Sequence, residues 1–200
     1  MSTAAKPLRA VVTCMDYRVK EDVILKNMNW ESAYFIRNAG GVMTEDAIRS
    51  LFLLQKFVLH EQYAIELLII AHTECGMIAP GDDELNRQIE NDIWFCDQPP
   101  FVLGTFPTPQ LSVRRSVQRL QTSWRRWANS RGALKIYGQL YNVSTHKLTA
   151  VETYAVQKGE GWSQVANKFG IDMHVLQQAN PQAQRSDTLL GLDQVLYIPR

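Results

Sequence analysis

Long apolar stretches are missing from this chain. The longest run of strictly hydrophobic side chains, at 67–71, falls far short of the roughly 20 residues that a helix needs to cross a bilayer, so no membrane span is expected. Before Arg9 there is no apolar segment of the kind a secretory signal carries, and a cytoplasmic location is expected. An excess of one charge is missing too. Lys and Arg number 21 against 20 Asp and Glu, which argues against a chain built for nucleic acid. Arginines 114, 115, 119, 125, 126 and 131 do crowd one segment, but without an aromatic stacking platform they read as a solvated or inter-subunit face. Cysteine is scarce. Three thiols, an odd count, exclude a closed disulfide framework and fit a reducing compartment. One of them, Cys96, lies between Phe95 and Asp97 and reads as a small buried side chain.

What is present is an ordinary hydrophobic fraction, 46%, enough for a sizeable core in one domain or two small ones. Residues 8–13 read as a strand, 21–28 as a helix and 33–36 as a second strand running into Arg37-Asn38-Ala39-Gly40-Gly41. Thr44 is a good N-cap for a helix over 45–61, with Glu45 and Asp46 in its first turn. The near-continuous aliphatic run at 65–71 suits a strand buried on both faces of a parallel sheet. A helix over 83–97, a short strand at 101–103 between prolines and a helix over 111–128 follow, then a hairpin of 134–143 and 147–151 turning around Ser144-Thr145-His146. Strands alternating with helices describe an α/β fold with an open sheet. Such sheets bind ligands beyond the carboxyl ends of their strands, where the winding reverses. The composition changes after about residue 150, which divides the chain into domains 1–152 and 153–200.

The chemistry concentrates at two strand ends. Cys14-Met15-Asp16-Tyr17-Arg18 follows the first strand, and His72-Thr73-Glu74-Cys75-Gly76 follows the third. Cys14, His72 and Cys75 offer three ligands suited to zinc, leaving a fourth position open as catalytic zinc requires. Zinc there lowers the pKa of a bound water to about 7. Asp16 either takes the fourth position or accepts a proton from that water, and Arg18 holds its carboxylate. By spacing alone, the competing reading is two buried core thiols and a satisfied histidine.

Taken together, Cys14-x-Asp16-x-Arg18, Arg37-Asn38-Ala39-Gly40-Gly41 and His72-x-x-Cys75-Gly76 resemble the β-class carbonic anhydrases over roughly residues 8–152. The resemblance implies a mostly parallel sheet flanked by helices, zinc on Cys14, His72 and Cys75, and a catalytic dyad of Asp16 and Arg18. It implies an active-site loop of Asn38, Ala39, Gly40 and Gly41, reversible hydration of carbon dioxide to bicarbonate, and a homodimer or larger homo-oligomer. Val19-Lys20 after the dyad and Ala71 before His72 depart from the family's usual residues. Related members hydrolyse carbonyl sulfide or carbon disulfide with the same ligands, which keeps those substrates open, as does a zinc-bearing scaffold without activity.

Residues 153–200 read as strand, helix, helix, strand, with Gly170 ending the first helix, Asp172 capping the second and Asn180-Pro181 ending it. Trp162, Val165, Ala166, Phe169, Leu176, Leu196 and Ile198 are its expected core. This pattern resembles a LysM domain. The resemblance implies a shallow groove for N-acetylglucosamine-containing glycans involving Gly159, Glu160, Trp162 and Asn180; the alternative is a retained fold used to dock a protein partner.

Overall fold

The protein is described here by a computed structural model covering residues 7–58, 64–78, 104–127, 134–183, 190–191 and 194–199. The helix expected at 83–97, Cys96, the strand at 101–103 and most of the segment 182–192 lie outside the described residues.

Strand β1 (Leu8–Cys14) lies inside the sheet and pairs in parallel with β2 (Tyr34–Asn38) on one side and β3 (Ile65–His72) on the other. β4 (Leu134–Asn142) continues the parallel sheet beyond β3, and β5 (Lys147–Ala150) returns antiparallel, giving the order β2-β1-β3-β4-β5. The chain leaves β1 for one neighbour and comes back to the other, so the winding reverses between β1 and β3. Thr13 pairs with Ile70 there, which brings Cys14 and His72 to the same edge of the sheet.

Alternate residues of these strands feed opposite cores, as the period of a strand requires. Ala10, Val12, Leu67, Ile69 and Ala71 pack with Ala47, Ile48 and Leu51 of α2 (Glu45–Leu53) and with Val113, Val117, Leu120 and Trp124 of α3 (Pro109–Trp127). Val11, Leu68, Ile70 and Tyr141 pack on the other face with Ile24 of α1 (Glu21–Met28) and with Trp30. Thr44 caps α2 by accepting from the Ala47 amide at 3.2 Å. Of the helix expected over 45–61, Glu45–Leu53 is α-helical and a wider π-type turn spans Leu54–Val58 and carries Gln55 inward, while 59–61 lie outside the described residues. α3 begins at Pro109, whose missing N–H costs nothing in a first turn, and the Thr108 hydroxyl accepts from the Leu111 amide.

The tail is a two-stranded ribbon, β6 (Thr153–Ala155) with β7 (Val195–Tyr197), enclosing α4 (Trp162–Phe169) and α5 (Met173–Ala179). Gly170 stops α4 in the left-handed conformation, and the Asp172 carboxylate accepts from the His174 and Val175 amides. Trp162, Val165, Ala166, Leu176, Leu196 and Ile198 form its core together with Val156, Ala183 and Leu190. The ribbon does not hang free. Val195 belongs to the same cluster as α2 and α3, with Ala155 and Tyr197 packed against it. The Arg114 guanidinium donates to the Val195 carbonyl at 2.9 Å, and the Gln118 side-chain carbonyl accepts from the Val195 amide at 2.5 Å.

Candidate metal centre

Cys14 ends β1, His72 ends β3, and Cys75 follows in a turn that Thr73 ties to the end of β4. The Thr73 amide donates to the Tyr141 carbonyl at 3.0 Å, and the Thr73 hydroxyl accepts from the Val143 amide at 3.1 Å. All three candidate ligands are buried, and their ligand atoms lie within 4.8 Å of one another. The two sulfurs stand 4.0 Å apart. Zn–S bonds of about 2.3 Å in a tetrahedral site separate two sulfurs by about 3.8 Å, so the pair has the spacing a shared ion needs. The His72 Nδ1 is 2.8 Å from the Thr73 carbonyl; it donates there, leaving the lone pair on Nε2. That Nε2 is buried and has no hydrogen-bond partner among the described residues. A buried, unsatisfied imidazole nitrogen between two thiols is what a missing metal bond leaves behind. The donor set therefore fits zinc.

Electrostatics agree. A hydrogen bond from Cys75, opposed by burial and helped by His72 and by the Asp16 and Gly40 amides, brings the Cys14 thiol down to about 4. The same hydrogen bond and burial push Cys75 up. Burial pulls the His72 imidazole down, but the neighbouring Cys14 thiol and the Thr73 carbonyl outweigh it and raise it overall.

Asp16 faces this cluster, its Oδ2 lying 3.9 Å from His72 Nε2. Arg18 grips the carboxylate from the side, with Nε to Oδ1 at 3.1 Å and Nη2 to Oδ2 at 2.8 Å, while its own backbone amide donates to Oδ1 at 2.9 Å. These hydrogen bonds bring the Asp16 carboxyl down to about 2, so the group is a carboxylate at neutral pH. The glycine-bearing loop approaches from the other side. Gly40 and Gly41 adopt left-handed conformations, φ 78° and 63°, and a Cβ on Gly41 would lie 2.7 Å from the Cys14 amide nitrogen. Asn38 closes this loop on itself, donating from Nδ2 to the Val42 carbonyl and accepting at Oδ1 from the Val42 amide. Ala39 opens the short turn that carries the two glycines. Val42, Met77 and Phe106 pack against the two cysteines and give the site an apolar wall.

Two contributors are plain only in three dimensions. Arg37 donates to the Cys14 carbonyl at 2.8 Å and to the Val19 carbonyl at 3.0 Å, bracing the loop that carries the dyad. Glu74, between the second pair of ligands, takes the remaining side of Arg18. Both sit inside the motifs quoted above, but no spacing rule pairs residues 56 positions apart.

Over 142 residues the chain is 32% identical to "Beta-carbonic anhydrase 1" of Mycobacterium tuberculosis, covering 71% of this chain and 80% of that protein. The chain belongs to the β-carbonic anhydrase family. Among solved structures, the carbonic anhydrase of Streptococcus mutans superposes with a TM-score of 0.58 at 28% identity, covering 76% of this chain and 88% of that one. The family also meets a neighbouring activity here: a carbon disulfide hydrolase of Saccharolobus solfataricus is 43% identical over 77 residues, 38% of this chain and 35% of that protein. At the C-terminus the LysM domain model matches residues 154–199.

In that LysM domain the expected groove residues are placed as follows. Gly159 is exposed in a loop with φ 84°. The Glu160 carboxylate accepts from the Tyr154 hydroxyl at 2.8 Å and the Gln157 amide at 2.9 Å. Trp162 is buried in the small core. Asn180 is buried, donating to the Leu176 and Tyr197 carbonyls and accepting from the Tyr197 amide. Among the described residues no helix is long and apolar enough to cross a membrane.

Proposed function

We propose that the chain is a zinc enzyme hydrating carbon dioxide reversibly to bicarbonate, with Cys14, His72 and Cys75 holding the metal. The observation that carries this reading is the ionised, Arg-gripped Asp16 carboxylate 3.9 Å from the open nitrogen of the Cys-His-Cys cluster. Zinc bound there supplies a Lewis acid that brings water to a pKa of about 7. The protein does the rest. Thr73 fixes the imidazole tautomer. Asp16, kept anionic and turned sideways by Arg18, would accept a hydrogen bond from the attacking water and so orient the lone pair of that water's oxygen toward the substrate carbon. Val42, Met77 and Phe106 suit a small, apolar, linear substrate.

That wall does not separate carbon dioxide from carbonyl sulfide or carbon disulfide, and the 43% identical carbon disulfide hydrolase segment supports hydrolysis of those substrates as the second reading. Stopped-flow hydration of carbon dioxide and sulfide release from the other two, measured on one zinc-quantified sample, decide between them. Asp16→Asn is expected to keep about one zinc per chain and to lose at least about 100-fold in kcat; activity within a few-fold of wild type would remove Asp16 from the mechanism.

Domains 1–152 and 153–200 divide the work. Met15 and Tyr17, 68% and 81% exposed on either side of Asp16, support a second copy covering the mouth of the site, which light scattering tests. For the tail we propose binding of an N-acetylglucosamine-containing glycan or of a docking protein. Titration with chitin oligomers separates the two.

A further inference from the structure

We infer that Glu74 is a positioning residue for the Asp16–Arg18 pair, an inference that rests on the proposed hydration reading. One residue meets both terminal nitrogens of the Arg18 guanidinium: its Oε2 accepts from Nη1 at 3.1 Å and its backbone carbonyl accepts from Nη2 at 3.1 Å. The inner side of the same guanidinium holds Asp16. Arg18 is thereby stapled between the loop that follows β1 and the loop that carries His72 and Cys75, and Asp16 has one orientation to take. A lone exposed ion pair would contribute little, and the Glu74 side chain is 61% exposed. Two further observations point past that. Glu74 adopts φ 57°, a left-handed conformation that a non-glycine residue reaches at a cost, and this conformation delivers its carbonyl and its carboxylate to the same arginine. The Ser144 hydroxyl, from the turn after β4, donates to the other carboxylate oxygen at 3.4 Å and steadies it.

A residue kept in strain to hold another should separate stability from function. Glu74→Gly relieves the left-handed conformation, so its melting temperature is expected to equal or exceed that of wild type. Removal of an outer partner of this kind lowers activity about 10- to 100-fold, and the loss should fall on kcat rather than KM. Glu74→Gln, which keeps the shape without the charge, should fall between. In an Arg18→Ala background neither change should have any further effect. Cobalt-substituted full-length protein gives a readout independent of turnover: with Arg18 released, Asp16 is free to reach the metal, and the visible spectrum of Glu74→Gly should differ from wild type. An unchanged cobalt spectrum together with kcat within twofold of wild type overturns the inference. If wild type hydrates no substrate, the hydration reading fails, while the cobalt spectrum still reports whether Glu74 holds the pair.

Discussion

Gly41 shows how little room the site leaves. Its φ of 63° disfavours any L side chain, and a Cβ would press on the Cys14 amide nitrogen at 2.7 Å and the Ile70 carbonyl oxygen at 2.8 Å, backbone atoms of the two central strands. Neither can yield without parting β1 from β3, and with them the ligands at their ends. Gly41→Ala is expected to cost more than about 2 kcal/mol, lowering the melting temperature by about 4 °C or more. It should also weaken zinc retention against a chelator. A melting curve and a metal assay on the same preparation check both. At this scale the Cys14-His72-Cys75 cluster and the Asp16–Arg18 pair were legible in the sequence, because soft side chains at strand ends and a carboxylate two residues from a guanidinium are local patterns. The partnership of Glu74 with Arg18 was not, because it depends on a left-handed backbone that sequence spacing does not encode.

Among the elements, β7 has a double allegiance. Its Val195 is 1% exposed, yet the side chain lies in the core of the five-stranded part while the strand completes the LysM ribbon. Arg114 and Gln118 of α3 stand in for a neighbouring strand by pairing with the Val195 carbonyl and amide. Arg114 is itself buried, and burial, aided by repulsion from Arg115, lowers its pKa. This arginine read as part of a solvated or inter-subunit face, and the structure instead folds it under the tail. Val195→Asp buries an unpaired carboxylate and is expected to destabilise the protein by about 3 kcal/mol, measurable by urea unfolding. Within the LysM domain, the Gln157 amide, the Tyr154 hydroxyl and Lys168 hold the Glu160 carboxyl below its ordinary range. The Tyr154 hydroxyl and Glu160 raise Lys168. A lowered acid stabilises above its ordinary pKa and loses that contribution as pH falls through the folded value. A raised lysine stabilises below its ordinary pKa and loses its contribution as pH rises through the folded value. The network should therefore act across the neutral range and fade at both ends. Glu160→Gln is expected to flatten the acid limb of melting temperature against pH and to weaken the alkaline limb only in part, because the Tyr154 hydroxyl still raises Lys168, a difference that a pH series of melts reads directly.

For the whole molecule, the shared cluster makes the tail part of one folding unit. About fifty residues are near the lower limit for a domain standing alone, and the ribbon's inner side is completed by α2 and α3. Calorimetry is expected to show one cooperative transition with matching calorimetric and van't Hoff enthalpies. Two resolved transitions would mean that the ribbon contact contributes nothing.

The sequence by itself determined the α/β order, the strand ends that carry Cys14, His72 and Cys75, and the strand-helix-helix-strand tail, since periodicity, caps and short motifs act over a few residues. Tertiary structure decided what faces what. The reversal between β1 and β3 sets the two sulfurs 4.0 Å apart. Chain reversal also brings Glu74 to Arg18 and seats β7 on α3. Those contacts join residues tens of positions apart, and their energies belong to the packed sheet rather than to any local stretch of chain.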